Sequence, residues 1–285
     1  MPTFFSTTES FTAGGRNKCI GTTYPIFTEK SPRRPFWNRF HKMPFLEQVS
    51  QVACGAHYAG AIKEDGSVWT WGRNDFGRLG RPGISLNENH GPGRVESFDD
   101  SVFLTKVACT DHSMVVLDDQ GKLYSWGSHE YGQTGQGLNE GFSVHPAQLQ
   151  EELPPMTHIC ASHNHAVALS HDGKVYTWGG FGGRFGCPTY LTTSFPTILS
   201  QIHFGAVTTD GKVFTWGDNY YDQLDKERTP CNQQGQSGFD FGIATGGALD
   251  EQRIGKLAFG ERHSVAISAD SNSLFVWYVY DPGLS

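Results

Sequence analysis

The amino-acid sequence predicts an all-β protein made of stacked repeats, and three observations predict it. A ten-residue segment, HDGKVYTWGG at 171–180, recurs in near copies. An apolar stretch precedes most of the copies, and 35 of the 285 residues are glycine while only 18% are charged. This composition is typical of short strands joined by tight turns and not of long exposed helices.

Each copy of the repeated segment predicts a turn followed by a strand. The other copies are EDGSVWTWGR at 64–73, DQGKLYSWGS at 119–128 and TDGKVFTWGD at 209–218. Side chains of two kinds alternate before the Trp, as a strand with two unlike faces requires. A fifth Trp completes a column whose members are Trp71, Trp126, Trp178, Trp216 and Trp277, spaced 55, 52, 38 and 61 residues apart.

A second strand is predicted ahead of these turns. The apolar stretches lie at 52–62, 107–117, 159–169 and 257–267, and each is interpreted as one strand that pairs with its own Trp strand. Between the two strands an Asp-Gly or Gln-Gly pair supplies the positive φ that a tight hairpin needs. Glycines after the Trp, as in WGRNDFGRLG at 71–80, predict a further turn.

Units of about 50 residues with a few short strands cannot bury their own faces, so they must stack, and radial stacking gives a β-propeller. The pattern of a small residue or Gly, two residues, His, apolar alternation, Asp-Gly and a VYTWG-like strand resembles the repeat of the regulator of chromosome condensation family of β-propellers. The resemblance covers 49–285. Five repeats are recognisable together with a half-repeat at 11–21, whereas members of that family usually close with seven blades.

The repeats divide the chain into two parts. Residues 1–48 are predicted to hold the N-terminal half-repeat and a basic, aromatic connection, and residues 49–285 the propeller repeats. Within the second part, the stretch 226–253 is rich in Gly and Gln and predicts a long loop or a degenerate blade.

Composition excludes some function classes and favours one kind of compartment. A net charge of −7 and a pI near 5.9 argue against a surface built as a whole to hold a polyanion. No run of 18 or more apolar residues is present, so no membrane span is expected. Six cysteines in a chain of this length favour reduced core residues over a disulfide framework, and we expect an intracellular, reducing compartment. The Ser/Thr-rich start leaves a mitochondrial location open.

Two columns of aligned residues are candidate sites. His165, His203 and His263 occupy one repeat position, which Tyr58 and Ser113 occupy in other repeats. Because equivalent positions of different blades lie far apart, we expect these histidines to bind backbone within their own blades and not a metal. Cys54, Cys109 and Cys160 are likewise aligned in one column and predicted to pack in the core.

A basic, aromatic segment at 30–45 does not follow the repeat. It contains no acid, in contrast to the acidic chain around it. Arg and aromatic side chains together suit phosphate contact with base stacking, or insertion into a partner's groove. The alternative is an inter-blade connection whose aromatics cap the side of the propeller. The candidate partner- or RNA-binding residues are Lys30, Arg33, Arg34, Phe36, Trp37, Arg39, Phe40 and Lys42.

No catalytic motif or cofactor motif is recognisable. The sequence has neither a Gly-x-Ser-x-Gly elbow nor a Gly-x-x-x-x-Gly-Lys-Ser/Thr phosphate loop, and the GGFGGRFG segment is interpreted as a turn because it follows a repeat strand. We therefore expect a chain without enzymatic chemistry, cofactor or metal.

Two functions remain open at this level. The first is a non-catalytic scaffold that binds protein partners in a larger protein or ribonucleoprotein assembly, with a local RNA contact through 30–45. The second is implied by the family resemblance: guanine-nucleotide exchange on a small GTPase. Because a repeat pattern alone does not carry exchange activity, and the loop residues on which exchange depends have no recognisable match, the sequence favours the scaffold.

Overall fold

The protein is a stack of five antiparallel sheets in the part of the chain that the structure describes. The computed structural model describes residues 43, 46–138, 140–149, 153–180, 189–194, 197–200, 203–208, 210–217, 242–243, 249, 252–259 and 263–278. Within these ranges a short 3-10 turn at Asp75–Gly77 follows one strand, and no helix is long and apolar enough to cross a membrane.

The strands follow one another in chain order within each sheet. The first sheet contains β1 (Val49–Cys54), β2 (Tyr58–Lys63), β3 (Val68–Arg73) and β4 (Asn89–Arg94). The second contains β5 (Leu104–Cys109), β6 (Ser113–Asp118), β7 (Leu123–Ser128) and β8 (Phe142–Gln148). The third contains β9 (Met156–Ser162), β10 (His165–Ser170), β11 (Lys174–Gly179) and β12 (Thr189–Ser194). The fourth contains β13 (Thr197–Ser200), β14 (His203–Val207), β15 (Val213–Gly217) and β16 (Gly242–Ile243). The fifth contains β17 (Ile254–Phe259), β18 (His263–Ser268) and β19 (Leu274–Tyr278).

The all-β, propeller-type architecture that the repeats predict is confirmed. The Trp strands are the third strands of their sheets, and the Gly of each Asp-Gly or Gln-Gly turn has a positive φ, for example +78° at Gly66. Residues 242–243, inside the stretch predicted as a long loop, pair with β15. The half-repeat at 11–21 lies outside the described residues.

The prediction of one apolar strand before each turn was wrong, because each stretch is two strands. In the first sheet, β1 ends at Cys54 and the chain reverses before β2 begins at Tyr58. The amide of Gly55 donates to the carbonyl of Tyr58 at 2.9 Å, which closes a tight turn. Thr110 and Ser113 close the equivalent turn of the second sheet at 2.8 Å. Short glycine-containing or polar segments, such as Thr110-Asp111-His112, mark this turn in the sequence, but the apolar residues on both sides led to one strand being predicted.

Each interior sheet buries both of its faces against its neighbours. We call the face toward the preceding sheet the upstream face and the face toward the following sheet the downstream face. Between the first and second sheets, the downstream residues Ile62 and Val68 form one core cluster with the upstream residues Leu104, Val107 and Trp126. Equivalent clusters join the second sheet to the third, the third to the fourth and the fourth to the fifth.

Buried tryptophans form hydrogen bonds to backbone carbonyls of the preceding sheet. The indole nitrogen of Trp126, on β7, donates to the carbonyl of Arg78 in the first sheet at 2.9 Å. Trp178, on β11, repeats this bond to the carbonyl of Gln133 in the second sheet at 3.1 Å. Because an indole N–H buried without an acceptor would be costly, the bond favours one seating of each sheet on the preceding one.

The prediction that Cys54, Cys109 and Cys160 occupy one repeat position was wrong for Cys160. Cys54 pairs with Ala59 and Cys109 with Met114, each next to the first residue of the following strand. Cys160 instead pairs with Val167, one position earlier, and Ala161 occupies the column. A one-residue step changes the sheet face, so Cys160 packs toward the fourth sheet. Cys54 is exposed, also contrary to the core prediction, while Cys109 is buried.

Candidate protein-interaction face

The two ends of the sheets carry different connections. At one end, which we call the turn end, β2 is joined to β3 and its equivalents by the Asp-Gly type of turn. At the other, the loop end, lie the short turns between the first two strands and the long connections between the third and fourth strands. Residues 74–88 and 129–141 form the two long connections of the first and second sheets. The candidate site lies at this loop end.

A fully buried arginine shapes the loop end of the first sheet. The Arg78 guanidinium forms an ion pair with Asp75, with Nη2 2.9 Å from Oδ2, and donates from Nη1 to the carbonyl of Asp111 in the second sheet at 3.1 Å. It also lies over the Tyr58 ring, 5.6 Å from its centroid. A buried cation requires such partners, so Arg78 holds the long connection of the first sheet against the second.

Tyr58 makes a second bond across the same junction. Its hydroxyl donates to the carbonyls of Thr110, at 3.1 Å, and of Ser113, both in the second sheet. Burial raises the pKa of Tyr58, so the phenol stays protonated and remains a donor. The loop end of the first two sheets is therefore a rigid platform.

On this platform lies an exposed patch, the aromatic patch, formed by Phe76, His112 and Phe142. Phe76 contacts the His112 ring edge-on at 5.3 Å and the Phe142 ring at 6.3 Å. Phe76 and Phe142 remain 38% and 45% exposed, although they are large apolar side chains. Phe76 also has a φ of +58°, a backbone conformation that a bulky residue rarely adopts. Strain of this kind is typical of functional loops.

An ion pair and a neutral histidine ring lie at the aromatic patch. Arg73 holds Asp75 in a two-pronged ion pair at 2.8 Å, so both charges are neutralised locally. Burial works to raise the pKa of Asp75, but the bond from Arg73 and the Arg78 charge lower it on balance. Burial and the Arg78 charge lower the pKa of His112, which is therefore a neutral ring at pH 7.

Unpaired carboxylates complete the rim. Glu88, Glu130 and Glu140 are exposed and make no ion pair within the described chain. The described loop-end connections of the first two sheets contain no lysine, but Arg81 lies there without an ion pair, and Arg73 and Arg78 share the one carboxylate of Asp75. The carboxylates of Asp75, Glu88, Glu130 and Glu140 outnumber these three arginines, so the net charge beside the aromatic patch is negative.

A side-chain hydrogen bond links the second and third sheets at the same end. His163 Nδ1 lies 2.8 Å from Asp111 Oδ2, and the amide of Asp111 donates to the carbonyl of His163 at 2.7 Å. Burial works to raise the pKa of Asp111, but the hydrogen bond from His163 and the neighbouring positive groups lower it on balance. This carboxylate is ionised at neutral pH.

The tryptophans and histidines of the two repeat columns differ in how deeply they are buried. Trp126, Trp178 and Trp216 are fully buried between sheets, whereas Trp71 and Trp277 are half-buried. His165 is half-buried at the start of β10, where desolvation of its ring lowers its pKa to about 4. The side chains of His203 and His263 lie outside the described residues. In the described chain, no group of three His, Cys, Asp or Glu could hold a metal ion.

All eight candidate residues of the basic, aromatic segment, Lys30, Arg33, Arg34, Phe36, Trp37, Arg39, Phe40 and Lys42, lie outside the described residues. Sequence reasoning missed the aromatic patch itself. Its signal was an aromatic residue before the turn glycine at the same repeat position, Phe76 before Gly77 and Tyr131 before Gly132, outside any predicted strand.

The stacked sheets, the buried Trp seals and the loop end together define a β-propeller protein. The regulator of chromosome condensation (RCC1) repeat model matches residues 65–117 and 120–169, and a second model of the same repeat matches 49–78 and 104–133. Residues 49–169 therefore consist of RCC1 repeats.

Curated relatives share part of this chain. Mouse E3 ubiquitin-protein ligase HERC2 is 32% identical over 168 residues, which are 55% of this chain and 3% of that protein. Protein pim1 of Schizosaccharomyces pombe is 31% identical over 144 residues, 46% of this chain and 26% of that protein. The chain thus spans a minor part of the length of these relatives.

Solved structures share the fold. Prp20p of Saccharomyces cerevisiae, studied for its binding to Gsp1p and histones, is 25% identical with a TM-score of 0.63, over 80% of this chain and 56% of that one. Human WBSCR16 is 22% identical with a TM-score of 0.63, over 81% of this chain and 61% of that one. The second likeness concerns the fold alone.

Proposed function

We propose that the protein is a non-catalytic interaction scaffold whose loop end binds a positively charged protein surface. The observation that supports this most strongly is the aromatic patch, two exposed Phe side chains and a neutral His on a rigid platform. Exposed aromatic groups on a fixed backbone are the side chains that contribute most to protein interfaces, because they bury large areas at small entropic cost.

Charge selects the kind of partner. The free carboxylates Glu88, Glu130 and Glu140 would attract lysine or arginine side chains, while the aromatic patch would accept apolar ones. A partner that presents both therefore fits the loop end. Prp20p, whose structure was described together with its binding to Gsp1p and histones, provides a precedent for protein binding on this fold.

The proposal includes membership of a larger protein or ribonucleoprotein assembly in a reducing, intracellular compartment. The three described cysteines, Cys54, Cys109 and Cys160, are free thiols, which is compatible with such a compartment. An RNA contact through residues 30–45 is a separate part of the proposal and would show a steep salt dependence.

The first experiment compares two exposed phenylalanines at opposite ends of the stack. Phe76→Asn removes the aromatic ring while Asn tolerates the left-handed backbone. Phe103, 42% exposed and at the turn end, gives the matched control Phe103→Ala. The full chain and both variants are immobilised and incubated with cell extract, and bound proteins are quantified at two salt concentrations.

The scaffold proposal predicts that the unsubstituted chain binds a partner protein at fixed stoichiometry. Phe76→Asn should bind at least tenfold less of this protein, whereas Phe103→Ala should bind as much as the unsubstituted chain. Circular dichroism and urea unfolding establish that both variants are folded. Equal retention by both variants would exclude the aromatic patch as the binding surface.

Guanine-nucleotide exchange is the second candidate, and one observation favours it. An exchange factor must place acids against the GTPase groups that hold phosphate and Mg²⁺, and the loop end presents free carboxylates beside apolar anchors. The discriminating assay follows release of fluorescent GDP from candidate GTPases with and without the protein. Acceleration that Glu130→Gln and Glu140→Gln abolish would support exchange and overturn the scaffold.

A further inference from the structure

The rings of the aromatic patch are inclined steeply to one another. The planes of His112 and Phe142 make angles of 63° and 71° with the plane of Phe76. Both phenylalanines are exposed and His112 is half-buried, so solvent reaches all three side chains. Rings inclined in this way turn their faces in more than one direction, and a single group lying above Phe76 could therefore contact more than one face.

The backbone that carries Phe76 is fixed on both sides of this residue. Before it, Asp75 forms an ion pair with the fully buried Arg78. After it, Gly77 lies so close to β8 that a Cβ would be 2.4 Å from a side-chain carbon of Val144. Because the two neighbours are held, a ligand does not have to order this ring, which reduces the entropic cost of binding.

The faces of these rings are free of cations from the described chain. The cation–π contacts among the described residues are those of Lys63 with Trp69 and of Arg78 with Tyr58. The face of an aromatic ring attracts a cation because the ring quadrupole is negative there. The faces of the aromatic patch are therefore available to a cation from another molecule.

Carboxylates near the rings strengthen the attraction for a cation. Burial and the Arg78 charge lower the pKa of His112 while the charge of Glu130 works against them, which places the Glu130 carboxylate near the His112 ring. Glu140 is exposed two residues before Phe142. The negative groups thus lie beside the aromatic patch, whereas the patch itself consists of rings.

This arrangement favours a methylated ammonium group over an unmodified one. The ammonium of lysine carries three N–H donors that require acceptors, and the side chains of the aromatic patch carry no oxygen to replace lost water. A trimethylammonium group has the same charge, has no N–H and packs its methyl groups on aromatic faces.

We propose that the aromatic patch binds the methylated ammonium group of a lysine side chain of the partner protein. Phe76, His112 and Phe142 would contact the methyl groups, and Glu130 would supply the neighbouring negative charge. This inference rests on the proposed function and names the side chain that the partner presents. Carboxylates alone would attract any cation, whereas ring faces select a cation without N–H groups.

The test uses amino acids with an acetylated amino group and an amidated carboxyl group. The probes are trimethyl-lysine, lysine and a neutral analogue in which a tert-butyl group replaces the trimethylammonium group. Chemical-shift titration of the isotopically labelled full chain, followed at the amides of Gly77 and His112, gives the dissociation constants. We expect a dissociation constant on the order of 1 mM for trimethyl-lysine, and about tenfold weaker binding of each of the other probes.

Two variants establish whether the rings form the site. Phe142→Leu keeps an exposed apolar side chain but removes the aromatic face, and Phe103→Leu at the turn end is the matched control because Phe103 is similarly exposed. We expect Phe142→Leu to weaken the binding of trimethyl-lysine about fivefold or more, and Phe103→Leu to leave it unchanged. If circular dichroism shows that Phe142→Leu is unfolded, Phe76→Asn takes its place with the same expected result.

Three results would overturn the proposal. Equal binding of trimethyl-lysine and the neutral analogue would mean that the contact is apolar and does not require a cation. Equal binding of trimethyl-lysine and lysine would mean that methylation is not recognised. Shifts that do not saturate, or that Phe142→Leu leaves unchanged, would mean that the rings do not form the site.

The titration and the cell-extract experiment can fail independently. If Phe76→Asn loses a partner from the extract but trimethyl-lysine does not bind, the recognition of methylated lysine is overturned and the scaffold stands. If trimethyl-lysine binds as expected but Phe76→Asn loses no partner, the result supports the ligand chemistry of the aromatic patch and contradicts the proposed function.

Discussion

The turn end and the loop end are built from the same strands but are closed in opposite ways. At the turn end, three turn glycines accept an N–H from the first strand of the next sheet: Gly66 from Leu104 at 3.2 Å, Gly121 from Met156 at 2.9 Å and Gly211 from Ile254 at 2.8 Å. At the loop end, the indole bonds of Trp126 and Trp178 to the carbonyls of Arg78 and Gln133 repeat, but the other bonds between sheets do not. Tyr58 reaches Thr110 at the first junction, and Asp111 reaches His163 at the next.

Carboxylates at the turn end and at the loop end also differ in how they are hydrogen-bonded. At the turn end, Ser170, Thr208 and Ser268 each donate a hydroxyl to the aspartate two residues later. Hydrogen bonds from Lys174 and Ser170 lower the pKa of Asp172, so this carboxylate is satisfied within its own turn. The loop end instead leaves carboxylates and aromatic rings exposed. Repeated backbone bonds join the sheets at the turn end, whereas side chains specific to each junction, such as Arg78 and Tyr58, join them at the loop end and leave other groups exposed for binding.

The largest expected effect tests the structural role of the turn end. Gly121 and Gly141 both have a φ of +81°, but they lie at opposite ends of the second sheet. A Cβ on Gly121 would lie 2.7 Å from the amide nitrogen of Met156, whereas one on Gly141 would meet nothing within 4 Å. We expect Gly121→Ala to lower the free energy of unfolding by about 4 kcal/mol and Gly141→Ala by about 1 kcal/mol. Urea unfolding monitored by tryptophan fluorescence measures both.

Because the backbone conformation is the same at both glycines, the difference of about 3 kcal/mol reports the contact with the next sheet and not the strain of a positive φ. Equal losses in the two variants would show that the turn end does not carry inter-sheet stability, and the comparison of the two ends would fail.

Much of the turn end could be predicted from the sequence and much of the loop end could not. Asp-Gly turns and Trp strands have local signals, since a positive φ and a period of two are properties of neighbouring residues. The turn between Cys54 and Tyr58 is marked only by a short glycine-containing segment between apolar residues, and the register that separates Cys160 from Cys109 has no local signal. The aromatic patch depends on Phe76 and Phe142, 66 residues apart, which only the stacking of two sheets brings together.

Lowering the pH separates the stability contributions of the two ends, because His165 at the loop end and Asp172 at the turn end bind protons in different pH ranges. The folded pKa of His165 is about 4, below the value of about 6.5 for an unfolded histidine. As pH falls from about 6.5 to 4, the unfolded chain gains a proton that the folded chain does not, so stability is lost. The turn-end carboxylate Asp172 has a lowered pKa, so its contribution persists above about pH 4 and is lost only below it.

His165→Gln should therefore remove much of the pH dependence between 6.5 and 4. The folded chain loses about 3 kcal/mol of stability to this group over that range, by the difference of the two pKa values. The measurement is the urea midpoint at half-unit pH intervals, with the exposed His145→Gln as the control. If the urea midpoint depends on pH between 6.5 and 4 in the same way in His165→Gln and in the unsubstituted chain, the pKa of His165 is not lowered in the folded protein.

The smallest expected effect belongs to the exposed Asp111–His163 hydrogen bond of the loop end. Asp111 and His163 join the second and third sheets, but their side chains are 32% and 55% exposed, so water screens the interaction. We expect Asp111→Asn to cost about 0.5 kcal/mol at pH 7, measured by urea unfolding at low and high salt. A double-mutant cycle with His163→Gln isolates the pair from the backbone bond between the same residues. A coupling energy above about 2 kcal/mol would mean that this pair, like Arg78 and Tyr58 at the first junction, holds the loop ends of adjacent sheets together, and that these irregular connections serve stability as well as binding.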